Sequence, residues 1–525
     1  MLPRHSPLHQ RHRAATLSAT RDFLSDGLFK GGTKLKEYGL YINGEWVASE
    51  SDKRFETRSP IDGKVLATFP QGTPGDVERA IDAAEDAFPA WKRTPAPKRG
   101  EILLRAAQIM RARKQELGEL VTTEMGKVIA EGKGDVQEAI DFLEYIAGEG
   151  RRLLGETTPS ELPNKFCMTV RQPVGVVGCI TPWNFPTAIP IWKIGAALIT
   201  GNTIVFKPAS LTPLCVARLV EIFEEAGLPP GVLNMVTGGG RSVGMAIVEN
   251  PRVKAISFTG GVPAGREIYT AAAKYLKSVE LELGGKNPQI VMPDANLDLA
   301  LDGVLFGAFG TAGQRCTATS RLILHQDIYD RFLGMLTDRL ESFTVGNPLD
   351  PAISMGPVVD QSAGEGIMEY IEIGKSEAKL RYGGERLTGG LYDQGFYIQP
   401  TIFETEHGTR ISCEEIFGPV LSVIKVGSYE EAIEVANDVE YGLSSSIYTK
   451  DVNLAFRAID DLETGITYIN APTIGAEVHL PFGGTKNTGN GGREAGTAAI
   501  DEFTEIKTVF VDYSNRLQKA QIERD

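Results

Sequence analysis

Cys316 stands in Thr311-Ala312-Gly313-Gln314-Arg315-Cys316-Thr317, a polar, glycine-containing loop with a cation beside the sulfur. That setting suits a thiolate, the nucleophilic form of cysteine. The other four cysteines offer less. Cys179 lies in an apolar Val-Val-Gly-Cys-Ile run and Cys215 on an apolar helical face, so both read as inert core. Cys167 is flanked by Phe166 and Met168, while Cys413 adjoins Glu414 and Glu415, whose charge disfavours a thiolate. Five scattered cysteines form neither a disulfide framework nor a zinc-type spacing, which points to a reducing compartment and no metal. A cysteine nucleophile usually works with histidine, but His325, His407 and His479 lack any protease-like context. Two other segments carry polar groups at strand ends. Glu282-Leu283-Gly284-Gly285-Lys286-Asn287-Pro288 sets a carboxylate before a turn, and Thr181-Pro182-Trp183-Asn184-Phe185-Pro186 sets an amide in a rigid one. Either these converge on Cys316, or Glu282 is a surface acid and Asn184 a turn former.

The elements that must position them alternate in type. Tyr41-Ile42-Asn43-Gly44-Glu45-Trp46-Val47 predicts a hairpin with Asn-Gly at its turn. Asp76 is expected to cap a helix bearing Val77, Ala80, Ile81, Ala84 and Phe88 on one face, and Pro97 to open a longer one. A polar interval, 155–165, leads into an alternating strand pair around Phe166 to Val177. Short apolar strands follow at 176–181, 203–207, 233–237, 255–259 and 279–283, with helical patterns between them. A second such series has strands near Ile290, Leu322, Ile402, Leu421 and Ser445. Alternation of this kind predicts an α/β fold of two parallel-sheet domains, with a ligand cleft at the carboxyl ends of their strands. Gly238-Gly239-Gly240-Arg241-Ser242-Val243-Gly244 and Gly260-Gly261-Val262-Pro263-Ala264-Gly265 are strand-to-helix turns, yet neither satisfies the dinucleotide fingerprint.

Charge and composition exclude other classes. The 525 residues carry a net charge of −14, so no surplus of positive charge exists to bind nucleic acid. No apolar run reaches the roughly 18 residues a membrane helix needs. The first 21 residues hold Arg4, Arg11, Arg13 and Arg21 and no acid. They are either a transit peptide, which would mean the mitochondrial matrix, or a disordered overhang or a start codon called too early on a cytoplasmic protein.

Five motifs, in order, resemble those of the aldehyde dehydrogenase superfamily over 40–513: Pro182-Trp183-Asn184-Phe185-Pro186, the Glu282-Leu283-Gly284-Gly285-Lys286 run, Gly313-Gln314-Arg315-Cys316, Glu415-Ile416-Phe417-Gly418-Pro419 and Pro481-Phe482-Gly483-Gly484. The resemblance implies two Rossmann-like domains, cofactor-binding and catalytic, plus a small β oligomerisation arm. It explains the missing fingerprint, since this family binds its dinucleotide without one. It implies Cys316 as nucleophile, Glu282 as base and Asn184 as oxyanion donor. NAD(P) would be held by Thr181, Trp183, Lys207, Ser210, Gly240, Phe258, Gly260, Gly261, Leu283, Glu415 and Phe417, and the substrate would meet Arg315, Phe185, Trp192 and Thr317. Lys193 matches a family lysine with either a proton-relay or a structural role.

Where strictly NAD-dependent members carry Glu, three residues past Lys207, this chain has Ser210, so NADP is expected to be accepted and even preferred. The segments Asn470-Ala471-Pro472-Thr473-Ile474-Gly475-Ala476-Glu477 and Gly489-Asn490-Gly491-Gly492-Arg493-Glu494 resemble the 2-oxoglutarate semialdehyde (2,5-dioxopentanoate) dehydrogenases and the aminoadipate semialdehyde group. Succinate-semialdehyde and non-phosphorylating glyceraldehyde-3-phosphate dehydrogenases are the nearest rivals, and a non-catalytic scaffold is the remote one. Arg315 either pairs with an anionic aldehyde or has only a thiolate-tuning or structural role. The expected division is a leader over 1–36, a discontinuous cofactor domain over 37–154 and 174–286, a catalytic domain over 287–485, and arm and tail over 155–173 and 486–525. In the family such tails join the hairpin near Phe166 of a neighbouring subunit, which implies a homodimer or homotetramer.

Overall fold

Asn43 and Gly44 both take positive φ, 54° and 80°, as a two-residue hairpin turn requires, and they join strands Leu40–Ile42 and Glu45–Val47. This is the first element resolved beyond a short edge strand in the computed structural model, which describes residues 35–522. The expected leader therefore falls almost wholly outside the described residues. Helix Pro74–Arg93 follows, and its start differs from the expectation. Thr73 is the N-cap and Asp76 the third helical residue, because the two side chains satisfy each other's backbone N–H in a capping box.

The hairpin sits at one edge of a seven-stranded sheet. Across it run Ser278–Glu282, Val253–Thr259, Val176–Ile180, Thr203–Lys207 and Leu233–Met235, all parallel, then the two antiparallel hairpin strands. A second sheet orders Lys379–Tyr382, Thr401–Glu404, Val420–Val426, Thr319–His325, Asn287–Val291, Ser444–Tyr448 and Ile466–Ile469, with only the first antiparallel. The five strands of each expected series are thus present, and helices such as Ala188–Thr200 bury themselves against them. Central strands read as continuous buried runs, as parallel strands covered on both faces should.

One expectation is overturned by chain connectivity. Glu282 ends an edge strand of the first sheet and Asn287 begins a central strand of the second, with four residues between them. So short a link holds the carboxyl ends of the first sheet against the amino ends of the second. The cleft is therefore not at the carboxyl ends of both.

The third sheet corrects another reading. Lys165–Pro173 does not pair with Val176–Ile180 but with Thr157–Pro159, which lies inside the expected polar interval. Its other neighbour is Thr504–Asp512 of the same chain, matched over nine residue pairs, rather than a neighbouring subunit's tail. Intrachain closure covers one edge of each strand and leaves Ile506 and Phe510 exposed.

Candidate active site

The nucleophile loop departs from helical geometry. Helix Leu297–Phe309 tightens into a 3-10 turn over Gly310–Gly313, where Thr311 and Ala312 both adopt φ 53°, a conformation L-residues resist. Hydrogen bonds over-determine it. The Glu131 carboxylate accepts from the Thr311 N–H at 3.0 Å, Gln314 Oε1 accepts from the Val359 N–H at 2.9 Å, and Asn287 Nδ2 donates to the Cys316 carbonyl at 2.7 Å. Asn184 Nδ2 donates to the Gln314 carbonyl at 3.1 Å, which brings that buried amide beside the Cys316 loop and leaves one amide N–H for a ligand. A Cβ at Gly285 would collide with the Cys316 carbonyl, and one at Gly284 with the Glu415 carboxylate. Close approach is thus what both glycines permit.

Arg315 does not face the sulfur. Its Nη2 donates to Glu131 Oε1 at 2.7 Å and its Nε to Thr311 Oγ1 at 3.0 Å. Burial pushes the Cys316 thiol pKa up, and Glu282, Glu415 and Glu494 push it the same way. The expectation that the adjacent cation tunes the thiolate is corrected: sequence adjacency sets the backbone side by side, but the side chains diverge. A thiol held protonated in this way needs a base nearby before it can act as a nucleophile. Glu282 is buried, neither of its oxygens has a hydrogen-bond partner, and burial with Glu494 and Glu280 holds its carboxyl well above the usual range. Behind it, Lys193 Nζ donates to Ser257 Oγ at 2.8 Å and to Glu494 Oε1, which also accepts from Thr259 Oγ1 at 3.0 Å.

The aldehyde dehydrogenase family profile matches residues 46–509. This chain belongs to the aldehyde dehydrogenase family. It is an oxidoreductase that acts on aldehydes with NAD(P). It is 45% identical over 482 residues to the alpha-ketoglutaric semialdehyde dehydrogenase of Bacillus subtilis, covering 91% of this chain and 99% of that relative. Its fold is similar to that of betaine aldehyde dehydrogenase from Staphylococcus aureus in complex with NAD+, at TM-score 0.89 and 36% identity, with 91% and 96% of the two chains covered. It is likewise similar to 3,6-anhydro-L-galactose dehydrogenase in complex with NAP, at TM-score 0.88 and 38% identity, with 91% and 100% covered.

Most of the expected cofactor residues of this aldehyde dehydrogenase lie at the carboxyl ends of first-sheet strands or in the turns after them, with Glu415 and Phe417 in the segment before strand Val420–Val426. Strand register sets Lys207 beside Ile180, and Thr259 beside Glu282. Lys207 is buried, donates to the Pro208 carbonyl at 2.9 Å, and is lowered by burial to about 8. Thr181 Oγ1 is buried without a hydrogen-bond partner, and a Cβ at Gly240 would meet open space. Gly260 lies too close to the Phe258 ring to carry a side chain, and Gly261 caps helix Val262–Ala273. Leu283 packs on Gly265, Ser210 is exposed with its Oγ donating to the Gly238 carbonyl, and Trp183 meets Phe417 edge-on at 5.5 Å. Glu415 accepts from the Gly285 N–H at 2.9 Å, and burial lifts its carboxyl to about 7. An under-partnered ammonium, an orphan hydroxyl and an open glycine turn fit a phosphate- and ribose-bearing ligand.

The expected substrate residues divide. Phe185 lies under Lys127 Nζ at 3.6 Å and the Arg315 guanidinium at 5.3 Å. Trp192 is buried in the wall between Phe142 and Phe482, and the carbonyl of half-buried Thr317 accepts from Thr473 Oγ1 at 2.7 Å. Sequence reasoning missed Glu131 as the partner of Arg315, Ser257 as the partner of Lys193, and the buried Lys127–Asp135 ion pair. Glu131, Asp135 and Glu138 recur at spacings of four and three on helix Ile129–Glu149, a carboxylate stripe that could have signalled them. Among the described residues no group of three or more His, Cys, Asp or Glu is arranged to hold a metal ion, and no helix is long and apolar enough to cross a membrane.

Proposed function

We propose that this aldehyde dehydrogenase oxidises an acidic semialdehyde of the 2,5-dioxopentanoate type to its carboxylate. The observation that carries the reading is the likeness to the Bacillus subtilis alpha-ketoglutaric semialdehyde enzyme over nearly that relative's whole length. Arg315 is the proposed contact for the distal carboxylate. Its bonds to Glu131 and Thr311 use Nη2 and Nε, which leaves Nη1 for a ligand.

Cys316 gives its thiol proton to Glu282 and its sulfur attacks the carbonyl carbon, forming the C–S bond of a thiohemiacetal. The second Asn184 N–H and the Cys316 backbone N–H receive the oxyanion, worth ~3–4 kcal/mol per well-aimed donor. When bound, NAD(P)+ supplies the hydride acceptor for the oxidation of that carbon. Once Glu282 has passed on the thiol proton, it takes a proton from the water that attacks the thioester. The C–S bond breaks, and the departing sulfur takes up the remaining water proton, so the thiol is restored as the carboxylate product forms. Lys193, bonded to Glu494, carries protons away from Glu282. Lys207, Thr181 and Gly240 hold the adenosine and phosphate half, with Ser210, Phe258, Gly260, Gly261 and Leu283 around it, while Glu415, Phe417 and Trp183 hold the nicotinamide half. An exposed Ser210 offers no repulsion to a 2′-phosphate, so NADP is accepted as well as NAD. The domain boundaries read from the sequence are part of this proposal, as is a homodimer or homotetramer built on the exposed edge Thr504–Asp512.

A kinetic screen of semialdehydes of increasing chain length, each with NAD and NADP, tests the reading. The highest kcat/KM is expected for 2,5-dioxopentanoate, with Cys316→Ala inactive. A preference for uncharged aldehydes would overturn the substrate, and activity in Cys316→Ala would overturn the nucleophile.

A further inference from the structure

Beyond Lys193 lies a second set of buried acids that the catalytic steps leave unused. Ser257 Oγ accepts from Lys193 Nζ at 2.8 Å and donates to Glu280 Oε2 at 3.2 Å. Its one hydroxyl therefore links an ammonium to a carboxylate, with donor and acceptor roles running in one direction. Glu280 hydrogen-bonds in turn to Glu502, at the end of helix Ala498–Glu502. Two carboxyl groups can bond to each other only if they share a proton. Glu280 is 5% exposed, and its Oε1 has no hydrogen-bond partner. Both acids line a cavity of about 360 Å³, together with Ser257, Arg493 and the exposed Asp501.

We infer that Ser257, Glu280 and Glu502 form a proton exit from the catalytic base to this cavity. The inference rests on the reading of Glu282 as the base for thioester hydrolysis. In each turnover Glu282 takes two protons, one from the Cys316 thiol and one from water, and each must leave before Glu282 can act again. Each passes to Glu494 and Lys193. A proton then moves from Lys193 Nζ to Ser257 Oγ as the Ser257 hydroxyl proton moves to Glu280, and Lys193 is recharged from Glu494. The Glu280–Glu502 pair holds one shared proton and releases the surplus one to water in the cavity. No bond other than O–H and N–H changes, and no electron is transferred.

The charged groups facing this pair come from four elements. Burial raises Glu280, Glu494 opposes its ionisation, and Lys193 favours it, which leaves Glu280 at about 7. Glu502 is raised by burial and by Glu280. Arg493 and Asp501 complete the cavity wall, and Asp501 is paired with Arg171 at 2.5 Å. A buried carboxyl pair whose members are both raised holds one proton and can take up and release another at the cavity.

The test separates the first turnover from the steady state in the full-length holoenzyme. NAD(P)H formation is followed by stopped flow after mixing with a saturating aldehyde, in Ser257→Ala, Glu280→Gln, Ser257→Thr and Glu282→Gln. The expected result is a persistent burst in Ser257→Ala and Glu280→Gln, with the following steady rate lowered roughly tenfold or more. The solvent deuterium isotope effect on kcat rises in both, their kcat–pH profiles shift relative to wild type, and Ser257→Thr, which keeps the hydroxyl, restores the rate. A wild-type steady rate in both overturns the exit. So does joint loss of burst, steady rate and Tm that Ser257→Thr does not restore, since that is a packing defect. Glu282→Gln keeps the two readings apart. If it retains its steady rate, the base assignment itself fails. If it loses that rate while Ser257→Ala and Glu280→Gln keep theirs, only the exit falls.

Discussion

Two buried lysines in neighbouring elements of one domain meet opposite fates. Lys193, on helix Ala188–Thr200, is raised above the ordinary lysine value because Glu494, Glu280 and Glu502 outweigh the cost of burial. Lys207, at the end of strand Thr203–Lys207, hydrogen-bonds among the described residues to a backbone carbonyl, and burial lowers it to about 8. The relay side of the site is thus complete within the chain. The proposed cofactor side is not, and under that proposal an anionic ligand would supply its counter-charge. Lys286 and Glu415 on that side are both drawn toward neutrality in the same way, at about 7 each. Under the proposed function, the buried charge with its partners in place serves the catalytic cycle and the one without them marks a binding seat.

The largest expected effect comes from breaking the completed side. Lys193→Met strands Glu494, Glu280 and Glu502 without a cation, and should destabilise the fold by ~3–5 kcal/mol in denaturant melts. Lys207→Met removes a charge that burial already disfavours, so the apo protein should be no less stable at pH 7, while KM for NAD and NADP rises by one to two orders of magnitude, roughly 1.4–2.8 kcal/mol. Equal destabilisation by the two variants would erase the contrast.

A pH series sharpens it. The folded pKa of Lys207 lies below its unfolded value, so between about 8 and 10.5 the unfolded chain binds more protons than the native one. The penalty is present in full below that window and relieved as pH rises through it. Binding an anion removes the penalty, so the thermal shift given by NADP should be larger at pH 7 than at pH 10, by a few degrees in scanning fluorimetry. A shift independent of pH would remove Lys207 from the seat. The smallest effect is confined to one cofactor. Ser210→Glu should lower kcat/KM for NADP roughly tenfold, about 1.4 kcal/mol, and leave NAD within twofold. Equal loss with both would move the 2′-phosphate elsewhere.

Local chemistry was legible in the residues. The Asn43-Gly44 turn, the apolar strands and the Pro-capped helices follow from short-range sterics and burial, and each formed near its expected place. The five ordered motifs made Cys316, Glu282 and Asn184 visible together, because the chemistry restricts the residue types and the turns restrict their neighbours. Long-range pairing was not legible. That Arg315 turns to Glu131, 184 residues away, and that Ser257 joins Lys193 to Glu280 depend on which helix faces which strand. The pairing of Thr504–Asp512 with its own chain's Lys165–Pro173 is of the same kind.

Sequence by itself determined the inventory: a thiol in a loop, an acid and an amide at strand ends, and two α/β series to carry them. The tertiary structure decided how that inventory is wired. A four-residue link between Glu282 and Asn287 turned the second sheet's amino ends toward the first sheet's carboxyl ends, and burial then decided which charges keep their partners. The physical reason is range. Turn geometry and side-chain chemistry act over a few residues, whereas desolvation and ion pairing depend on what the whole fold brings within a few ångströms.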